Sequence, residues 1–140
     1  MEVVPNFHFG GKCREAIELY KEAFGAKIGC LLLYKDAKSE DYDKPLTNEQ
    51  KDFVYHAEIL IGEQRIMMAD DLEMPFAPST SFFLTMTMDT KDNVLRAFNI
   101  LKDGCTIINP PHSTTYSSCI VTFIDKFGFR WGIMTEQTER

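Results

Sequence analysis

The chain has 140 residues, a formal net charge of −6 and 44% hydrophobic residues. This length suits one globular domain, and the basic residues are interleaved with acidic ones instead of forming the positive cluster that nucleic-acid binding requires. No stretch approaches the ~20 apolar residues of a membrane span, and the N-terminal sequence lacks the basic and apolar regions of a signal peptide. We therefore predict a single cytoplasmic domain without nucleic-acid or membrane partners.

The first part of the chain is typical of a strand, a helix and a second strand. Residues 3–9 are strand-like around Pro5, which belongs at a sheet edge because proline cannot donate a hydrogen bond to a neighbouring strand. Between residues 12 and 24 the apolar side chains recur at helical spacing, and Gly25 follows where a helix-ending glycine is expected. Residues 26–34 are almost continuously apolar, which indicates a strand.

Residues 35–52 differ sharply from this pattern, because they are charged and show no periodicity. Loops of this length are uncommon in compact domains and often have a function. We interpret the segment as a solvated connection, and a lid over a cavity is the alternative.

A β-hairpin is predicted at residues 53–70, with its turn at residues 61–64. Alternation along its first strand places His56 and Glu58 on the same face. Two such side chains can hydrogen-bond to each other, contribute ligands to a metal, or serve as an acid/base pair. The residues alone leave these alternatives open.

The second half of the chain repeats this order of elements. Residues 71–80 contain two prolines and form a joint between the halves. After the joint we predict a strand at 81–88, a helix at 91–101 capped by Thr90, a strand at 105–109 that ends at two prolines, and a hairpin at 116–136 with its turn at 125–128.

The repeated β-α-β-β-β pattern defines the predicted fold class, which is α+β. Two βαβββ modules should form a curved mixed sheet around a shared cleft, and such clefts are the usual places for ligands. The single domain would span residues 1–140, with module 1 at about 1–70, the joint at 71–80 and module 2 at about 81–140.

Three ordered motifs carry a family resemblance: PNFHFGGKCREAIELYKEAFGA, YHAEILIGEQRIMMAD and FIDKFGFRWGI. Together they resemble the PhnB-like branch of the vicinal-oxygen-chelate superfamily, which includes glyoxalase I, bleomycin-resistance proteins, fosfomycin-resistance enzymes and extradiol dioxygenases. The resemblance extends over nearly the whole chain. It implies paired βαβββ modules around a cleft, and commonly a homodimer.

The resemblance also raises the question of a metal, because enzymes of this superfamily hold one divalent ion with His and Glu or Gln side chains. The positions that match these ligands are a site near Pro5, the pair His56 and Glu58, Phe83, and Gly132. His8 is close to the first position, but counting back from Tyr20 gives it the opposite strand parity. Since Phe83 and Gly132 offer no donor side chain, we predict no cofactor. A Zn, Ni, Mn or Fe ion held by His8, His56 and Glu58 is the alternative.

We therefore expect a small-molecule ligand, contacted by His56, Glu58, Phe83 and Trp131, although core packing is the simpler interpretation of the two aromatic residues. Catalytic residues stay unassigned, because no nucleophile and base are joined by a recognisable motif. One rival is a metal-dependent lyase, isomerase or dioxygenase that uses His56 and Glu58. Another is a dimeric assembly module with a filled cleft, in which Met74 and Phe76 dock onto a partner subunit.

Overall fold

The computed structural model describes residues 1–77 and 79–136. The chain divides into two compact units, Met1–Phe76 and Ala77–Arg140, and the boundary falls inside the predicted joint at 71–80. Within the described ranges, neither helix combines the length and the apolar character that crossing a membrane requires. The predicted position of Pro78 in the joint lies outside the described residues.

The first unit contains one helix and a four-stranded sheet whose strand order is β1-β4-β3-β2. Its elements are β1 (Asn6–Phe9), α1 (Cys13–Phe24), β2 (Lys27–Leu33), β3 (Val54–Ile61) and β4 (Gln64–Asp70). Strands β1 and β4 are parallel, and the other neighbours are antiparallel. The sheet is therefore mixed, with β1 and β2 at its two edges, and Pro5 lies just before an edge strand as predicted.

Helix α1 owes its position to an apolar stripe and to a buried carboxylate. Its buried side chains are Cys13, Ala16, Ile17, Tyr20 and Ala23. Gly25 ends the helix in the left-handed conformation, with φ of 68°.

Asp70, the last residue of β4, supplies the carboxylate. It is 1% exposed, and its Oδ1 accepts hydrogen bonds from the backbone N–H groups of Gly11 and Cys13 at 2.8 and 3.0 Å. Its Oδ2 accepts from the Val54 N–H at 2.9 Å. One carboxylate thus joins the start of α1 to strands β3 and β4, where it satisfies backbone donors that would otherwise be buried without partners.

The second unit has the same plan, with strand order β5-β8-β7-β6 and parallel pairing of β5 with β8. Its elements are β5 (Ser79–Met88), α2 (Lys91–Leu101), β6 (Thr106–His112), β7 (Ser117–Ile124) and β8 (Phe129–Glu136). The Thr90 side chain accepts a hydrogen bond from the Asn93 N–H at 3.1 Å, so the predicted cap of α2 is confirmed. Two mixed four-stranded sheets with two helices confirm the α+β class.

The strand prediction at 105–109 was wrong about its end. Strand β6 continues through Pro110 and Pro111 to His112, and all of its residues are exposed. Among the described strands it pairs with β7 alone, and its register with β7 shifts on either side of Asn109. An edge strand tolerates proline because one side of its backbone needs no partner, so these prolines do not terminate the strand.

Candidate functional site

Each sheet has one face that packs against its helix and a second face that we call the helix-distal face. In the first unit Ala57, Ile59, Ile66 and Met68 are buried on the helix side. Strand alternation then places His56, Glu58 and Arg65 on the helix-distal face, and the pairing of Glu58 with Met67 agrees with this assignment. The predicted sharing of one face by His56 and Glu58 is confirmed.

Glu58 is the centre of a polar network on this face. The ring Nε2 of His56 donates to Glu58 Oε2 at 3.2 Å, and Arg65 Nη1 donates to Glu58 Oε1 at 2.7 Å. Arg65 Nε also donates to Glu2 at 3.3 Å. Both carboxylate oxygens of Glu58 are therefore engaged by partners from its own unit.

These contacts also set the protonation of Glu58. The hydrogen bond from His56, and after it the hydrogen bond from Arg65, lowers the pKa of Glu58 below its ordinary value. The carboxylate is consequently ionised at neutral pH, and the guanidinium of Arg65 balances its charge.

His8 belongs to the same face, which corrects the parity expected from the sequence. In the parallel β1–β4 pairing, Phe7 lies beside Met68 and His8 lies beside Ala69. Phe7 is buried on the helix side, so His8 points to the helix-distal face together with His56. Its ring Nδ1 donates to Asp71 Oδ1 at 2.8 Å, and the side chain is 44% exposed.

His8, His56 and Glu58 do not form a metal-binding set in this arrangement. Glu58 is paired with a cation, and His8 is bonded to Asp71 instead of sharing a centre with His56. Among residues 1–77 and 79–136, no group of three or more His, Cys, Asp or Glu side chains is placed to hold an ion. These residues therefore do not fit the divalent metal that the superfamily implies.

On the second sheet, Phe83 lies over the position of Gly132. A Cβ atom added to Gly132 would lie 3.3 Å from Phe83 Cε2 and 3.5 Å from the hydroxyl oxygen of Thr85. The guanidinium carbon of Arg130 lies 4.0 Å from the centre of the Phe83 ring. Phe83, Thr85 and Arg130 therefore cluster around Gly132 on the helix-distal face of the second sheet.

Trp131 lies on the other side of that sheet, which corrects its expected grouping with Phe83. It is fully buried and pairs with Phe123, whose ring packs on Phe98 of α2 with centroids 5.2 Å apart. Its indole N–H donates to the buried Asp125 at 2.9 Å. Strand alternation separates it from Arg130 and Gly132, so Trp131 is a core residue outside the site.

Short 3-10 helices, Tyr34–Asp36 and Gln50–Asp52, lie at the two ends of the long segment at 35–52. The Tyr34 N–H donates to the Phe53 carbonyl at 2.9 Å, so the segment starts and ends at neighbouring points of the backbone. The Tyr34 hydroxyl donates to the backbone carbonyl of Asp70 at 2.6 Å. Burial, with the charge of Asp71, raises the pKa of Tyr34 to about 12, which keeps this donor protonated. The Tyr34 ring contacts those of Tyr42 and Tyr55 at 5.2 and 5.4 Å. Whether the segment acts as a lid stays a prediction.

Sequence reasoning missed Arg65, Asp71 and Arg130 as members of these faces. The signal for the two arginines was present in the hairpin register. Arg65 stands opposite Leu60, and Arg130 stands opposite Ile124, so each arginine falls near the start of the returning strand on the helix-distal face. No local pattern predicts the contact between His8 and Asp71, because 63 residues separate them in the sequence.

Comparison with known proteins agrees with this architecture. A crystal structure of protein PA1353 from Pseudomonas aeruginosa is similar at a TM-score of 0.83 and 26% identity, covering 97% of this chain and 98% of that one. A PhnB protein from Bacillus cereus is similar at a TM-score of 0.78 and 23% identity, covering 96% of this chain and 99% of that one. The fosfomycin resistance protein FosX from Mesorhizobium loti shares the fold at a TM-score of 0.61 and 12% identity, covering 99% of this chain and 93% of that one. No curated protein matches the chain.

The family model gives the more direct result. Residues 8–133 match the Glyoxalase/Bleomycin resistance protein/Dioxygenase superfamily, and this range extends over most of both units. The resemblance seen in the three sequence motifs is thereby confirmed, and the chain belongs to the Glyoxalase/Bleomycin resistance protein/Dioxygenase superfamily.

Proposed function

We propose that this member of the superfamily binds a small molecule without the divalent metal of its enzymatic relatives, and that it does so as a homodimer. The observation that carries the proposal is the engagement of Glu58. Both of its oxygens are bonded to His56 and Arg65, so the carboxylate that would bind a cation already has one beside it. Replacing a metal ligand by an internal ion pair leaves a polar surface suited to hydrogen bonding.

The second unit supports ligand binding in a different way. Where the superfamily's enzymes carry metal ligands, Phe83 and Gly132 provide an aromatic ring and an open backbone. Phe83 is 37% exposed, and an exposed ring beside a guanidinium is a stacking surface for planar apolar groups. His56, Glu58 and Phe83 are thus the proposed contact residues, each on the helix-distal face of its own sheet.

Metal analysis tests the first half of the proposal. Mass spectrometry of untagged protein, after it is offered Zn, Ni, Mn and Fe and then desalted, should show close to no bound ion per chain. EDTA should leave the melting temperature unchanged. About one tightly bound ion per chain, lost in a His56→Ala/Glu58→Ala double variant, would overturn the metal-free proposal and establish the metal-dependent alternative. The same double variant with unaltered metal content would rule out that alternative.

A fragment screen by NMR tests the second half. Bound fragments should shift the resonances of Phe83, Thr85 and Gly132, or those of His56 and its neighbours. Shifts confined to other surfaces, or none across a library of small aromatic compounds, would contradict small-molecule binding at these faces. Trp131→Phe is the matched control, because its side chain lies on the opposite face and should leave fragment affinity unchanged.

The assembly-module alternative has one observation in its favour. Met74 and Phe76, two residues apart at the end of the first unit, are 69% and 45% exposed, so two large apolar side chains are accessible to a partner. If they dock onto a second copy, Met74→Ser with Phe76→Ser should convert a dimer to a monomer in light scattering. An unchanged mass would remove these residues from the interface.

A further inference from the structure

We propose that Arg130 binds the carboxylate of an anionic aromatic ligand on the helix-distal face of the second sheet. This inference rests on the proposed function, because it names the chemical class of the small molecule. Arg130 is the counterpart of Arg65, the arginine at the same place in the other unit.

The strand registers establish this equivalence. Arg65 stands opposite Leu60, and Glu58 is two residues before Leu60 in β3. Arg130 stands opposite Ile124, and Thr122 is two residues before Ile124 in β7. Both pairs lie on a helix-distal face, so Thr122 occupies in the second unit the place that Glu58 occupies in the first.

Among the described residues, the exchange of a carboxylate for a hydroxyl leaves Arg130 without an acidic partner, whereas Arg65 has two. Arg65 bonds to Glu58 at 2.7 Å and to Glu2 at 3.3 Å. Within residues 79–136, by contrast, no acidic side chain forms an ion pair with Arg130. The nearest acid on the same face by register is Glu136, six residues along β8 and therefore about 20 Å away.

The donors of Arg130 are also incompletely used. Nη1 donates to the Thr80 carbonyl at 2.6 Å, which fixes the guanidinium in place. Nε is buried and has no hydrogen-bond partner among the described residues. Buried donors almost always have partners, so an unpaired one calls for an explanation. The edge formed by Nε and Nη2 has the fork geometry that holds a carboxylate with two parallel bonds.

The surroundings favour an aromatic body attached to that carboxylate. The Phe83 ring packs against the guanidinium and is partly exposed, so an aromatic group joined to a carboxylate on Arg130 can stack beside it. Across the sheet, Thr85, Gly132, Thr122 and Asn109 form one row, in which Asn109 donates to Thr122 at 3.2 Å. This row carries amide and hydroxyl groups and no negative charge, so nothing in it repels an anion.

Benzoate and benzamide are the probes, since they share a planar ring and differ in charge. NMR titration of the full chain should show benzoate shifting Phe83 and the Arg130 Nε–H signal, with benzamide binding at least about 10-fold more weakly. Arg130→Gln should lower benzoate affinity about 10-fold or more. Arg96→Gln removes the same charge from an exposed arginine of α2, outside the helix-distal face, and it should leave benzoate affinity within about 2-fold.

The outcomes separate this inference from the proposed function. Equal binding of benzoate and benzamide at Phe83 would overturn the carboxylate assignment and keep small-molecule binding intact. Benzoate affinity that survives Arg130→Gln would likewise overturn it. Failure of both probes would overturn it too, and the fragment screen would then decide the proposed function separately. A folded state of Arg130→Gln is verified by an unchanged amide spectrum of α2, and Arg130→Lys serves as a second variant if Gln disturbs the fold.

Discussion

The two units of this chain share one plan of strands and helix but differ in where their charges lie. On the helix-distal face of the first sheet, Arg65 is neutralised by Glu58 and Glu2. On the corresponding face of the second sheet, Arg130 stacks on Phe83 and has no acidic partner among the described residues. The two units therefore repeat a backbone plan but not its chemistry. The first unit has a carboxylate, Glu58, where the second has a hydroxyl, Thr122, and this difference changes what the neighbouring arginine can bind.

The helix starts differ in a parallel way. Helix α2 is capped by its own neighbour Thr90, whereas α1 has no side-chain cap at Lys12 and depends on Asp70, which is almost sixty residues further along the chain. A local cap is formed as soon as its helix forms, but a remote cap requires the sheet to be in place. The first unit should therefore depend more heavily on one side chain than the second does.

Asp70→Asn should cause the largest loss of stability among these variants. An amide nitrogen cannot accept the hydrogen bond from a backbone N–H, so at least one buried donor among Gly11, Cys13 and Val54 would lose its partner. We expect the free energy of unfolding to fall by about 2–4 kcal/mol. Urea denaturation measures this. Thr90→Ala is the control and should lose about 1 kcal/mol. A smaller loss for Asp70→Asn than for Thr90→Ala would contradict the contrast drawn between the helix starts.

Trp131→Phe should come second in magnitude. The change removes indole atoms from the core and takes away a donor from the buried Asp125, which also accepts from the backbone of Phe127 and Phe129. We expect a loss of about 1–3 kcal/mol in unfolding free energy, measured in urea, with fragment affinity unchanged. If Trp131→Phe keeps full stability but loses fragment binding, Trp131 contacts the ligand and is not only a core residue.

Gly132→Ala tests whether the Phe83 ring lies over Gly132. The new methyl group would lie 3.3 Å from Phe83 Cε2, closer than ordinary contact, so the ring must shift. We expect the variant to be about 1 kcal/mol less stable than Gly29→Ala, with altered Phe83 resonances. Gly29 is the matched control, because its nearest neighbour is the Glu58 carbonyl at 3.6 Å. Equal stability of the two variants, with unmoved Phe83 signals, would place the ring elsewhere.

The smallest effect concerns pH. Because the pKa of Glu58 is lowered in the folded state, its ionisation stabilises the fold above the unfolded value of 4.5, and this contribution is lost as the pH falls below that value. As the pH is lowered from about 6 to 3, the melting temperature should therefore fall less steeply in Glu58→Gln than in the parent chain. Thr122→Val, at the equivalent place in the second unit, should keep the parent slope. Identical slopes in Glu58→Gln and the parent would show that the network with His56 and Arg65 contributes nothing measurable.

The order of elements, the helix ends and the shared face of His56 and Glu58 could all be predicted from the sequence. These features depend on local spacing: apolar positions every three or four residues, a capping Thr90, a glycine after α1, and alternation along β3. The family also followed from local motifs, since three of them in the right order were enough to reveal the repeated modules.

The contacts of each polar side chain depended on the tertiary structure. Parallel pairing of β1 with β4 set the face of His8 and brought it to Asp71, and strand alternation with α2 on one side made Trp131 a core residue. The pairing of Arg65 with Glu58, and the lack of such a partner for Arg130 among the described residues, likewise depend on hairpin register. Contacts between distant residues follow from how strands align and which face is covered, and neither is encoded in the spacing of neighbouring residues.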